Sequence, residues 1–153
     1  MLIEVKVKVA RIIDGKIRKR TENFVVDKEF FSEAEYAVTS NLTNEQSQGL
    51  VDEFEIQSLK ISQFKEVAPQ FEGNDTFVAT LKDIWLDNDG NEKTLKYKVL
   101  LWADDLTQAN SNTLRLAREG YDMQIEGIKQ VDYEYLVEHS NQEEETENDY
   151  TKG

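Results

Sequence analysis

The strongest constraint on this chain is an order of elements that its sequence spells out twice. Val5, Val7 and Val9 alternate with Lys6 and Lys8, the period of a strand with one buried face. Asp14-Gly15 then has the composition of a two-residue hairpin turn, and Phe24-Val25-Val26 closes the return strand. A helix is predicted to begin between Asp27 and Ser32, with Phe30, Ala34, Ala37 and Val38 as its apolar stripe, and the polar run Asn41 to Gly49 leaves its end open. Phe54 to Ile61 reads as a third strand. The order then recurs. Phe77 to Leu86 and Lys93 to Trp102 form a second hairpin around Asp87-Asn88-Asp89-Gly90-Asn91. Asp104 or Asp105 caps a helix with the stripe Leu106, Ala109, Thr113, Leu116 and Ala117, Gly120 ends it, and Met123 to Val131 supplies the last strand.

Two short matches support a duplication. Phe31-Ser32-Glu33-Ala34 corresponds to Leu106-Thr107-Gln108-Ala109, and Ile56-Gln57-Ser58-Leu59-Lys60 corresponds to Ile125-Glu126-Gly127-Ile128-Lys129. The expected fold is α+β: two tandem strand-strand-helix-strand repeats, about 1–61 and 76–138, forming a two-layer sheet/helix domain. Ser62 to Asp75, with the only proline, Pro69, is read as the connection. One such unit alone leaves much of its sheet face wet, so the repeats are expected to share a core within one domain, 1–138.

Composition narrows the function. The chain is 39% hydrophobic and 10% aromatic, enough for a packed core. It has no cysteine, which excludes disulfide scaffolds, thiol nucleophiles and all-cysteine zinc sites. The start, Met1 to Arg11, lacks the continuous apolar stretch of a signal peptide, and no window approaches a membrane span. An intracellular, cytoplasmic protein without membrane contact is expected, in the host cytoplasm if phage-encoded. A net charge of −13 opposes generic adhesion to polyanions, but the charge is uneven. Met1 to Arg20 holds seven basic residues against Glu4 and Asp14, whereas His139 to Gly153 holds five acids against Lys152. That final segment, 139–153, contains one aromatic and no aliphatic residue, so it is expected to be a disordered acidic tail.

Catalytic signatures are weak, and the protein is read as a non-enzyme without cofactors or a metal site. The single histidine, His139, borders the acidic tail, where nothing orients its ring. Asp87 to Glu92 resembles a calcium loop only superficially, because Gly90 stands at the fourth position where an EF-hand needs glycine at the sixth. The glycines are scattered and no phosphate-binding loop occurs.

The hairpins carry the informative chemistry. A two-residue turn at Asp14-Gly15 sets Arg11 opposite Arg18, Val9 opposite Arg20 and Ala10 opposite Lys19. Lys6, Lys8 and Lys19 then share one face, and Arg11, Arg18 and Arg20 crowd the tip. Like charges this close require an answering anion, either a phosphate chain or the protein's own carboxylates. In the second hairpin Lys96, Lys98 and Trp102 share a face, and Trp85 adds another ring. Rings beside lysines on an open sheet suit single-stranded nucleic acid, whose bases stack while its phosphates pair with ammonium groups. Each tryptophan also has a plainer role as a core or interface ring.

These residues predict a non-catalytic single-stranded nucleic-acid-binding protein using Lys6, Lys8, Arg11, Arg18, Lys19, Arg20, Trp85, Lys96, Lys98 and Trp102. The acidic tail either occupies the basic groove or recruits partner proteins. The alternative is a protein-protein interaction or structural module, with a homodimer among its forms. The body, about Ile3 to Tyr135, also resembles a family of uncharacterised domains of similar length from Bacteroidetes bacteria and their phages. The resemblance is carried by the opening Val-Lys-Val-Lys-Val strand, Phe31-Ser32-Glu33-Ala34-Glu35 after a Val-Val-Asp strand end, Phe54-Glu55-Ile56, and Val99-Leu100-Leu101-Trp102-Ala103-Asp104-Asp105-Leu106. It implies the architecture and an accessory, non-enzymatic role and supplies no site residues; it is the nucleic-acid reading that extends to a setting such as phage-type DNA replication.

Overall fold

A computed structural model describes residues 1–137; His139 and the expected acidic tail, 139–153, lie outside the described residues. The fold is α+β, with two helices and eight strands in two four-stranded sheets among the described residues. The chain divides into two compact units, one formed by Met1–Ile61 together with the residues from Glu134 onward, the other by Ser62–Tyr133.

In the first unit, β1 (Leu2–Ile13) and β2 (Lys16–Asp27) form an antiparallel hairpin. Asp14 and Gly15 both have positive φ, 54° and 77°, as a turn matched to the right-handed strand twist requires. The turn fixes the parity of everything along the hairpin. Ile3, Val5, Val7 and Val9 fall on one face with Phe24 and Val26, and all are buried. Helix α1 (Phe31–Ser47) covers that face with Ala34, Ala37, Val38 and Leu42. Phe30, placed in the stripe by sequence, is instead the exposed residue preceding the helix; its backbone N–H donates to the Glu33 carboxylate at 3.2 Å. The polar run after Asn41 remains helical because Leu42 lands on the buried stripe. Strand β3 (Val51–Ile61) pairs antiparallel with the outer side of β1.

The second unit has a hairpin of β5 (Asp75–Leu86) and β6 (Glu92–Ala103), then α2 (Leu106–Leu114) and β7 (Asp122–Val131), which pairs antiparallel with β5. Ala79, Leu81, Val99 and Leu101 are buried on one face, with Tyr97, Met123, Ile125 and Ile128 packed against them. The Asp105 carboxylate caps α2 by accepting the Gln108 N–H at 2.8 Å. The stripe of α2 is Ala109, Asn112 and Thr113, whereas Leu106 is 56% exposed and Ala117 lies beyond the helix end. Asn112 is tolerated there because its amide donates to the Trp102 carbonyl at 3.1 Å.

Two short strands complete the sheets. The stretch Ser62 to Asp75, read as a connection, contains β4 (Phe64–Ala68), which pairs parallel with β6. Likewise β8 (Glu134–Leu136) pairs parallel with β2, so residues assigned by sequence to the second repeat complete the sheet of the first unit. The sheet orders are β3-β1-β2-β8 and β4-β6-β5-β7. Between β4 and β5, Gly73 sits so close to the Ala103 backbone that an added Cβ would lie 2.3 Å from its Cα. Gly73→Ala is therefore expected to destabilise the protein by about 1–3 kcal/mol, read as a lower urea midpoint, because backbone rather than a flexible side chain must move.

Candidate nucleic-acid interface

The first hairpin has the expected register, with Arg11 opposite Arg18, Val9 opposite Arg20 and Ala10 opposite Lys19. Its tip cations are partly answered from within. Glu22 stands opposite Val7 and shares the helix-facing side with Arg11 and Arg20. Arg11 donates through Nε and Nη2 to both Glu22 oxygens at 2.6 and 2.7 Å, and Arg20 Nε reaches Glu22 at 2.7 Å. Glu45, from the polar end of α1, lies 3.2 Å from Arg11 Nη1. Hydrogen bonding to Glu22 raises the Arg11 pKa. Burial opposes ionisation of Glu22, but its bonds to Arg11 and Arg20 prevail and hold the carboxyl below its ordinary value. Arg18 remains exposed.

Lys6, Lys8 and Lys19 are exposed on the opposite face of the same sheet. Lys60 joins them from β3, opposite Glu4 and 3.9 Å from its carboxylate. The face is mixed in charge, since β3 also sets Glu55 opposite Lys8 and Glu53 opposite Ala10.

The second sheet separates the two tryptophans. Trp102, Lys98 and Lys96 stand opposite Thr76, Thr80 and Lys82, all on the face turned from α2. Trp85 stands opposite Lys93 on the α2 side, where it packs on Tyr121 with ring centroids 5.4 Å apart. Lys129, opposite Val78, brings a fourth lysine to the Trp102 face. Lys82 and Lys96 are direct cross-strand neighbours, an arrangement that repels. Lys96 is answered by Glu126 at 3.1 Å, and Lys98 donates to the Gln63 amide oxygen at 3.2 Å. Lys96 and Lys129 are exposed, whereas Lys82, Lys98 and Trp102 are half-buried. Eight of the chain's thirteen lysines thus lie on sheet faces turned from a helix, four in each unit.

Sequence reasoning passed over Lys60, Lys82 and Lys129, although the parity that grouped Lys96 with Lys98 extends to Lys82 once the hairpin register is written out. It also passed over Asp83, a carboxylate 1% exposed on the helix-facing side of β5. Asp83 accepts from Arg118 Nη2 at 2.7 Å and from the Tyr97 hydroxyl at 3.1 Å. Burial and that bond push Tyr97 up to about 12. Arg118 also lies 4.2 Å from the Tyr121 ring centroid. These contacts tie the segment after the short α2 to the sheet and engage the ring neighbouring Trp85, giving Trp85 a packing role.

The Glu22 arrangement sets a pH dependence. A carboxyl with a depressed folded pKa adds stability above its unfolded value, near 4.5, and that stability disappears as pH falls through the folded value. Glu22→Gln should flatten the fall in stability below pH about 4.5, measured by urea denaturation against pH, and lower stability at neutral pH.

None of the described helices is long and apolar enough to cross a membrane. No curated protein and no solved structure matches the chain. A family model does match, over residues 1–139, nearly all of the sequence and every described residue. With the two hairpins, their helices and the closing strands all inside that span, the chain belongs to the family described as Domain of unknown function (DUF4494).

Proposed function

We propose that this protein is a non-catalytic accessory protein that binds single-stranded nucleic acid, in a setting such as phage-type DNA replication, through the lysine-bearing sheet faces rather than the hairpin tip. The observation that carries the reading is the Trp102 face of the second sheet. Within the rows from Thr76 to Lys82 it carries Lys82, Lys96, Lys98 and Lys129 together with the Trp102 ring, which the buried row Val78–Leu100 separates from Lys98, and Glu126 is ion-paired to Lys96. In a chain of net charge −13, Glu126 answers Lys96, while Lys82 directly opposite has no carboxylate ion-paired to it among the described residues. A polynucleotide supplies phosphates for the lysines and a base for Trp102. Lys6, Lys8 and Lys19 extend the same chemistry to the first unit, whereas Arg11 and Arg20 are already occupied by Glu22.

We also propose that the chain is a tandem duplication. Both units place the third strand antiparallel to the first and a short strand parallel to the second. Both also carry a β-bulge at matching positions. Lys6 and Val7 face Ser58 and Ile56, skipping Gln57, while Thr80 and Leu81 face Gly127 and Ile125, skipping Glu126. Those bulges fall inside the matched pair Ile56–Lys60 and Ile125–Lys129. In this alignment Lys8 corresponds to Lys82 and Lys60 to Lys129, so the lysine face itself is repeated.

Binding of a labelled single-stranded oligonucleotide tests the function. With four lysine–phosphate contacts, affinity should fall about 50-fold between 50 and 200 mM salt, from a slope of about −0.7 per contact. Lys82→Glu with Lys98→Glu should abolish binding, and Trp102→Ala should weaken it by about 1–3 kcal/mol. Trp85→Ala should instead lower stability and leave affinity unchanged. Removing Gln142–Gly153, with five acids and one lysine, should raise affinity. No binding at low salt overturns the proposal in favour of a protein-interaction module.

A further inference from the structure

The duplication places each short strand in an unexpected sheet. β4 follows β3 after two residues, Ser62 and Gln63, yet pairs with β6 of the second unit. β8 follows β7 after two residues, Asp132 and Tyr133, yet pairs with β2 of the first unit. Their partners are equivalent. Glu134, Tyr135 and Leu136 face Phe24, Val25 and Val26, while Glu66, Val67 and Ala68 face Val99, Leu100 and Leu101. The short strands correspond as Glu66 with Glu134, Val67 with Tyr135 and Ala68 with Leu136. Resting on the duplication reading and independent of the nucleic-acid reading, we infer that the two repeats are a strand-exchanged pair. Each repeat has five strands and helices in the order β-β-α-β-β, and its last strand completes the sheet of the other repeat. The chain is the covalently joined form of a swapped dimer, and the partner that fits each acceptor edge is another repeat of the same kind.

Packing supports a real exchange rather than two incidental tails. Leu136 packs against the core of the first unit, and Ala68 is buried in that of the second. Phe64, at the start of β4, is 3% exposed and meets the Tyr133 ring edge-on at 5.0 Å within the second unit. The donated strands therefore fill apolar volume as well as pairing backbone groups. The exchange also accounts for the two-residue connections, since so short a link cannot return a strand across β1 to the far side of its own hairpin. To reach the outer side of β2 from β3 the chain would have to pass the width of three strand spacings, about 14 Å, and reverse its course.

The test is whether damage crosses between repeats. In the full chain, Val67→Pro removes a donor from β4 of the first repeat, and Tyr135→Pro does the same in β8 of the second. Hydrogen exchange by mass spectrometry should show Val67→Pro lowering protection about tenfold at Lys98–Leu101 while β1 and β2 keep theirs. Tyr135→Pro should lower it at Phe24–Val26 while β5 and β6 keep theirs. Loss confined to the mutated repeat's own hairpin overturns the inference. A disulfide provides a second readout should a proline variant fail to fold, because the chain has no native cysteine. Asp27→Cys and Val137→Cys stand one position beyond the last paired residues, Val26 and Leu136. With a protease site inserted after Gln70, the cut, oxidised protein should run as one band without reductant and as two with it. Two bands without reductant would show that β8 is not held on β2, and would remove the exchange. Oligonucleotide binding by the uncut protein is unaffected by either result, so the functional proposal stands or falls separately.

Discussion

Cross-strand register at the first hairpin governs what the rest of this protein can be. A turn of two residues with positive φ admits no slack, so Arg11 must meet Arg18 and Val9 must meet Arg20. Parity then divides twelve-residue strands into a valine face for the helix and a lysine face turned away from it. A slip of one residue would bury Lys6 and Lys8 beneath α1 and expose the valines, which is why register is so strongly fixed. The second hairpin reaches the same division through a longer turn, in which Asp87 accepts the backbone N–H groups of Asp89 and Asn91 at 2.9 and 2.8 Å.

Charge follows from this geometry. Among the tip cations, Arg11 and Arg20 on the helix side meet carboxylates, because the return strand brings Glu22 to both and the end of α1 brings Glu45 to Arg11. On the other side lysines gather in both sheets, interspersed with Glu4, Glu53 and Glu55 in the first and with Glu126 in the second. Global acidity and local basicity coexist because the sheet sorts side chains by parity. The helix-facing strand positions differ between the units: in the first, with its longer helix, Val9 is buried in the apolar core, whereas in the second, with the shorter α2, the buried Asp83 carboxylate is bound by Arg118.

Much of this was legible in the residues themselves. The hairpins, their pairings and the split between Lys96, Lys98 and Trp102 on one side and Tyr97 on the other follow from period-two patterning and turn chemistry. The segments that escaped were short or locally polar. β4 and β8 have five and three residues, too few for a period to register, and they are strands only because distant partners await them. The last turns of α1 read as a loop because Leu42 is their one large buried residue. Glu22 and Glu45 were missed as partners for Arg11 because one lies along the return strand and the other on those same unread turns.

The placement of β8 also bears on how the molecule is made. Glu134 lies 110 residues after Phe24, so the first sheet remains short of a strand until Glu134–Leu136 have left the ribosome. During synthesis the edge at Phe24–Val26 waits uncovered, because the two-residue link after β3 keeps β4 from reaching it. The edge stays open until β8 arrives, so late maturation is the step at which it is exposed to pairing with another chain.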